Sequence, residues 1–363
     1  MAKKPPKDSD SDVSNELINR IIKASGNQYA DTLAKSEVIN NKDFFSTNIP
    51  GINIALGGEI DGAMNPGVLQ IVGESKSFKT LFMLVLAKAY MDKYPKSVFI
   101  LFDSEAGAAK EYFQSLDIDE NRVAHCPIES VEDLRGQIAK VLDGLKRGDK
   151  VFLGVDSIGL LASNKEIADA LSDNAAADMT RAKALNSFFR IIVSKLPLLD
   201  VPMVIVNHAY DSIGGFIPTK IVKGGKGGYL ASDAIWMITR AVDREQGGDK
   251  ELLGYKFTIW IEKSRRVREK SKVPIMVSFE GGIDRYSGLQ DIAEEGNFIK
   301  VTNKKQGYFE HAGGVCEDEK SANAFFEKLL VSPEFATYVR NTYKQAGKKL
   351  IQVKDDEVVQ EEE

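Results

Sequence analysis

"GVLQIVGESKSFKTLFMLVLAKAY", residues 67–90, is the stretch that decides the fold. Val68 to Val72 is an apolar run of strand character, Gly73 to Thr80 reads as a turn, and helix-forming residues follow to Tyr90. Strand, turn and helix in that order aim consecutive backbone N–H groups at one point, where the helix dipole favours an anion. Gly73 is expected to allow a sharp exit from the strand. Lys79 would reach the β- and γ-phosphates of a nucleotide, and Thr80 would offer its hydroxyl to Mg2+. Glu74, Ser75, Lys76 and Ser77 form the loop between. Phe78 is the anomaly, because the usual pattern has a second glycine there. A negative φ at the first helical position would tolerate it, provided the ring points away from the phosphates. The bland alternative is a strand–turn–helix with a chance Lys-Thr pair.

Outward from this loop, short apolar runs alternate with helical segments. The runs are VLQIV (68–72), VFILF (98–102), VFLGV (151–155), MVIVN (203–207), AIWMIT (234–239) and KFTIWI (256–261). The first four are nearly continuous apolar strands, as expected where helices cover both faces of a sheet. Segments 81–93, 131–147 and 176–196 are long enough to be crossover helices. The expectation is an α/β fold with a doubly wound, mostly parallel sheet. From Asn15 to Ala24 helical spacing puts Leu17, Ile18, Ile21 and Ile22 on one apolar stripe. Residues 1–12 read as disordered, and after Leu289 a mixed pattern suggests a small C-terminal domain.

Two carboxylate motifs strengthen the phosphate reading. VFLGVDS ends a strand in Asp156, where a second group is needed to hold the water shell of Mg2+. FILFDSE ends another with Asp103 and Glu105, either of which could orient or deprotonate an attacking water. Each alone could be a strand-exit cap or a solvated acidic turn. Three such features at C-terminal strand ends coincide with the edge where open α/β sheets bind ligands, and they point to a nucleotide triphosphatase.

Bulk properties decide less. The 363 residues carry a net charge of −5, with KSRRVREKSK (263–272) strongly basic and DDEVVQEEE at the end acidic. A global sum can hide a local nucleic-acid surface. No apolar run is long enough to span a bilayer, and the polar start lacks a signal-peptide block, so a cytoplasmic protein is expected. Cys126 and Cys316 lack metal-type spacing.

Those motifs, with "INIALGGEIDGAMNPGVLQIVGESKSFKT", "LFDSEAG", "VDSIGLLASNKE", "DMTRAKALNSFFRI", "NHAY", "IEKSRRVREKSK" and "FEGGIDRYSGLQDIA", resemble the RecA-like recombinases, in particular their UvsX-type branch. That branch shares the phenylalanine in the phosphate loop. The resemblance covers roughly residues 15–310. It implies a RecA-like P-loop ATPase core over 48–289, an N-terminal polymerisation arm over 1–47, a small C-terminal domain over 290–350 and an acidic tail over 351–363. It also implies that ATP and Mg2+ are bound, with Glu105 activating water, Asp156 supporting the metal and Tyr112 stacking on adenine. His208 would be the γ-phosphate sensor, where bacterial RecA carries glutamine. Lys263 and Arg265 would reach the ATP of a neighbouring subunit, although the same segment reads plainly as a solvated charged turn.

"AYDSIGGFIPTKIVKGGKGGY" (209–229) reads as a long glycine-rich loop, with Phe216, Lys220, Lys223 and Lys226 as DNA-binding candidates. Lysines release counterions from DNA, and aromatics stack on bases. The resemblance makes this the second DNA loop and the stretch near 164–176 the first. It implies single-stranded DNA, homologous duplex and a helical homo-filament as partners, with a recombination mediator and a single-stranded-DNA-binding protein. The rival readings are a RecA-fold hexameric helicase and a nucleotide-gated scaffold that ignores DNA.

Overall fold

The computed structural model describes residues 9–40, 42–107, 110–172, 179–211, 220–222, 225–244, 252–278, 281–303 and 307–345. The chain opens with α1 (Ser9–Ser25), α2 (Glu37–Asn40) and α3 (Pro50–Gly57). It continues through β1 (Gly67–Gly73), α4 (Lys79–Lys93), β2 (Val98–Asp103), α5 (Lys110–Ser115), β3 (Val123–Pro127) and α6 (Val131–Gly144). β4 (Val151–Asp156), α7 (Asn164–Leu171), α8 (Thr180–Leu199), β5 (Pro202–Asp211), β6 (Lys220–Val222) and α9 (Gly225–Ala231) follow. Next come β7 (Ala234–Arg244), β8 (Leu252–Ser264), β9 (Lys272–Ser278) and β10 (Gly282–Ile283). The chain then adds α10 (Leu289–Glu295), β11 (Ile299–Asn303), β12 (Tyr308–His311), β13 (Gly314–Cys316), α11 (Glu319–Leu330) and α12 (Pro333–Tyr343).

Ten strands make one sheet in the order β10-β9-β8-β7-β1-β5-β4-β2-β3, with β6 paired to β5 off that path. From β3 to β7 every neighbouring pair is parallel, and β7 to β10 form an antiparallel meander. All six runs expected as strands are strands, and the sheet is mostly parallel as expected. β1 is buried at every residue because helices cover both faces. α6 and α8 pack one face around Phe102, Leu153, Phe188 and Ile205. α3 and α4 pack the other around Ile71, Phe82, Leu86 and Trp236. The apolar-run criterion passes over β3, whose side chains are mostly exposed, and β9, where burial alternates.

Several expectations need correction. α1 begins at Ser9, inside the stretch read as disordered. Residues 209–229 are not simply a loop. β5 extends to Asp211 and pairs antiparallel with β6 through Ala209–Val222 and Asp211–Lys220, and α9 begins at Gly225. A ribbon of backbone hydrogen bonds is thus available to a segment whose glycines suggested none. Likewise 164–171 is a helix, started by a capping box between Ser163 and Glu166. The basic turn is only partly solvated, since Val267 is buried and the half-buried Arg266 donates to Ala63 O at 2.7 Å.

After Leu289, α10 to α12 surround a small antiparallel sheet, β11-β12-β13. Phe309, Phe335, Val339 and Tyr343 join the same apolar cluster as α3 and α4. Arg340 and Lys344 both pair with Glu59, at 2.9 and 2.8 Å. At the other end, Leu17 and Ile21 of α1 are 44% and 59% exposed, leaving an apolar stripe uncovered by any described residue.

Candidate active site

The parallel register brings the candidate residues to one sheet edge. Gly73 at the end of β1 lies beside His208 on β5, and Asp103 at the end of β2 lies beside Asp156 on β4. Between them opens a cavity of about 350 Å³ that includes Lys79, Thr80, Glu105, Tyr112, Asp156 and His208 in its wall.

Gly73 does not act through an unusual backbone angle. A side chain there would meet Ser77 Oγ at 2.6 Å and Ile238 O at 2.8 Å, so glycine serves close approach of the loop to β7. Ser77 donates to Glu74 O at 2.7 Å and pulls the loop into a tight curl. Lys76 and Phe78 are left-handed, with φ of 63° and 52°. The negative φ expected for Phe78 is therefore wrong: the loop keeps the conformation that a glycine would adopt freely. The ring compensates, packing 5.3 Å from Phe257 and 5.7 Å from Tyr255.

Lys79 starts α4 and is 6% exposed. Its ammonium donates to Glu74 O at 2.7 Å, and burial lowers its pKa against the pull of Asp156 and Glu105. Thr80 Oγ1 donates to Asp156 Oδ2 at 2.5 Å. Burial pushes Asp156 up to about 6; Glu105 and Asp103 add to the rise, while Thr80 and Lys79 oppose it. A desolvated ammonium facing a cavity, with a hydroxyl and a proton-hungry carboxylate beside it, is a donor set that fits a magnesium nucleotide. Mg2+ needs only one or two protein oxygens alongside phosphate and water. No cluster of three or more ligating His, Cys, Asp or Glu occurs among the described residues.

Glu105, not Asp103, faces the cavity. Its Oε1 accepts from Ser157 Oγ and lies 3.2 Å from His208 Nε2. Burial opposes its charge, but the Ser157 hydroxyl, the His208 ring and Lys79 outweigh it and hold the carboxyl below its usual range. The His208 ring sits against Gly159, where a Cβ would meet its Cδ2 at 2.4 Å. Behind His208 runs a buried polar chain. Asn207 Oδ1 accepts the His208 N–H, Asn207 Nδ2 donates to Gln70, and Gln70 Nε2 donates to Gly228 O and Ser232 Oγ. It connects the cavity edge to α9.

Tyr112 stands on α5 with its side chain half-exposed at the cavity wall. Lys263 and Arg265 are not in the cavity. They lie at the far edge of the sheet, where Ala234 pairs with Ser264 and Leu69, about 13 Å of strand from Gly73 where the phosphate loop begins. Lys263 donates to Tyr229 O at 2.7 Å, and the largely exposed Arg265 pairs with Asp233 at 3.1 Å. Among the DNA candidates, Lys220 lies in β6 and Lys226 in α9, while Phe216 and Lys223 lie outside the described residues.

Sequence reasoning missed Arg240 and Tyr255. Arg240 donates to Lys76 O at 3.0 Å and stacks 4.7 Å over the Tyr255 ring, closing one side of the cavity. The apolar run 234–239 ends one residue too early to suggest it. No motif signals Ser157 either, and only the meeting of β2 with β4 gives it a role.

No family model matches the chain. It is 39% identical over 341 residues to the recombination and repair protein of Enterobacteria phage T4, covering 90% of this chain and 86% of that protein. It is 22% identical over 334 residues to protein RecA of Phytoplasma mali, covering 91% and 95%. For protein RecA of Methylobacterium radiotolerans the identity is 20% over 343 residues. No helix among the described residues is long and apolar enough to cross a membrane. Identity at the level of the phage protein, carried across 90% of the sequence, permits one conclusion: the chain belongs to the family of RecA-like recombinases.

Proposed function

We propose that this protein is an ATP-dependent DNA strand-exchange recombinase that assembles on single-stranded DNA as a helical filament and pairs it with homologous duplex. One observation carries the reading. The phosphate loop, Glu105 and His208 share one sheet edge, while Lys263 and Arg265 occupy the opposite one. Those cations are out of reach of their own cavity, which supports a role for them at the cavity of a head-to-tail neighbour. A heterologous contact that does not close by rotation builds an open helix. The uncovered stripe of α1 supports the same assembly.

In this reading the loop amides and Lys79 hold the phosphates, and Thr80 with Asp156 holds Mg2+. Bound Mg2+ would neutralise charge on the β- and γ-phosphoryl oxygens. Glu105, kept ionised by Ser157 and His208, orients and deprotonates the attacking water. Tyr112 stacks on the adenine. Arg265 and Lys263 of the next protomer balance charge on the transferring phosphoryl group, so hydrolysis depends on assembly. His208 exchanges Glu105 for the γ-phosphate, and the Asn207–Gln70 chain carries that change toward α9, while Lys220, Lys223 and Lys226 bind the DNA. The protein would work in the host cytoplasm with a mediator and a single-stranded-DNA-binding protein.

Electron microscopy of the protein with single-stranded DNA and a non-hydrolysable ATP analogue tests this directly. Helical filaments are expected. Solitary particles indifferent to DNA would overturn the reading, and closed rings that unwind duplex would replace it with a helicase.

A further inference from the structure

The strand end that presents Glu105 carries a second carboxylate, and a second histidine stands against it. Asp103 is 6% exposed and turned away from the cavity. Its Oδ1 accepts the backbone N–H groups of Glu105 at 2.9 Å and Ala106 at 2.8 Å. Its Oδ2 lies 3.1 Å from His125 Nε2. An ionised carboxylate only accepts, so Nε2 carries the hydrogen and donates. His125 comes from β3, the edge strand, two residues before the partner of Asp103 in the register.

The Asp103 carboxylate therefore fixes the two peptide units that decide where the Glu105 side chain leaves the backbone. This loop needs holding, because Ala106 is left-handed at φ 49°, a conformation that is costly for a non-glycine residue. Ser104 holds the loop on the β4 side, its N–H donating to Asp156 O at 2.8 Å. On the β3 side the bond to His125 is what stops the Asp103 carboxylate from rotating off its amides.

We propose that His125 is a positioning residue for hydrolysis, acting through Asp103 to hold the Glu105 loop in its working geometry. The inference rests on the reading of Glu105 as the carboxylate that activates water. Two considerations separate this role from a structural one. The histidine is half-exposed, so truncating it admits water to Asp103 Oδ2 rather than leaving that oxygen buried and unpaired, and little folding stability is at stake. Misplacing a reacting group by 1 Å can cost on the order of 100-fold in rate. His125 should thus be felt in turnover far more than in folding.

The experiment uses the full-length protein with single-stranded DNA, Mg2+ and ATP, comparing wild type, His125→Ala, His125→Gln and Glu105→Gln. Glutamine keeps an N–H donor at similar reach. His125→Ala should lower kcat by roughly 5- to 30-fold, with KM for ATP within about twofold and little change in melting temperature, and His125→Gln should recover most of the loss. Unchanged kcat in His125→Ala, a matching rise in KM, a large fall in melting temperature, or a glutamine variant no better than alanine would each overturn the proposal. Glu105→Gln keeps the two readings apart. If it is inactive while His125→Ala is normal, only the positioning role falls; if it hydrolyses ATP like wild type, both fall.

Discussion

His208 Nε2 lies 3.2 Å from Glu105 Oε1, joining the side chain that would sense the γ-phosphate to the one that would activate water. The ring cannot serve carboxylate and phosphate in the same way at once, so nucleotide binding must redistribute this bond. His208→Ala should leave ADP affinity within about twofold of wild type and lower DNA-stimulated ATP turnover by at least ~10-fold, since only the γ-phosphoryl group is sensed. Equilibrium binding of ADP and steady-state hydrolysis measure the two effects. Equal losses for ADP and ATP would assign the ring a plain binding role.

Lys79→Ala should abolish hydrolysis, and Arg265→Ala should bind ATP but turn it over poorly on DNA. Because the two residues sit at opposite sheet edges, mixing the inactive variants should restore part of the activity. A seam that joins the intact Lys79 of one variant to the intact Arg265 of the other is complete. Turnover in the mixture no higher than in the separate variants would place Arg265 outside the reaction.

Phe78 combines a strained backbone with a packed ring, and the two effects oppose each other. Glycine would relieve about 1–2 kcal/mol of left-handed strain but forfeit contacts with Tyr255 and Phe257. Burial of a phenylalanine ring contributes about 1.5–3 kcal/mol and each aromatic pair about 0.5–1.5 more. Phe78→Gly is therefore expected to be less stable by ~1–3 kcal/mol in urea titration while remaining able to hydrolyse ATP. A variant more stable than wild type would show that strain dominates.

Neutralising Lys220, Lys223 and Lys226 together should weaken single-stranded DNA binding and flatten its salt dependence. Each lost phosphate contact removes ~0.7 from the slope of log K against log salt, so the triple variant should lose up to about 2. Binding isotherms at several salt concentrations give that slope directly. If it stays the same, the DNA lies elsewhere.

Glu59 fastens Arg340 and Lys344 to the turn after α3. Burial would raise its pKa, but the two cations outweigh burial and hold it below 4.5. A depressed carboxylate stabilises the folded state above its ordinary value and stops doing so as pH falls through the lowered one. Glu59→Gln should thus cost about 1 kcal/mol at pH 7, a cost that fades as pH falls through the lowered value. Melting curves at pH 7 and below that value test it; a gap that survives in acid would mean the effect is not ionic.

Six of the strands, the crossover helices and the strand–loop–helix of residues 67–90 were legible in the chain, because each rests on local order. Short apolar runs bounded by turn residues suit a sheet covered on both faces, and Lys79-Thr80 after a glycine turn gains weight from the carboxylates that end the neighbouring strands. Asp156 and the Asp103–Glu105 pair were recognisable as candidates for the same reason, as carboxylates at or just beyond the ends of apolar strands. The Phe78 backbone was misjudged because a side chain's conformational cost is visible locally, whereas its compensation comes from β8, more than 170 residues away.

What only the tertiary structure decided is which of those groups meet. Choosing between Asp103 and Glu105 took the register of β2 against β3 and β4, which hands one carboxylate to His125 and the other to Ser157 and His208. Arg240 and Tyr255 entered the cavity wall only because β7 runs past its apolar core and β8 folds back along it. Lys263 and Arg265 lie far along the chain from the phosphate loop, and strand direction also keeps them at the opposite end of the strands from their own loop. Short-range patterns specify elements; the hydrogen-bond register between distant strands specifies distances, and the chemistry depends on distances.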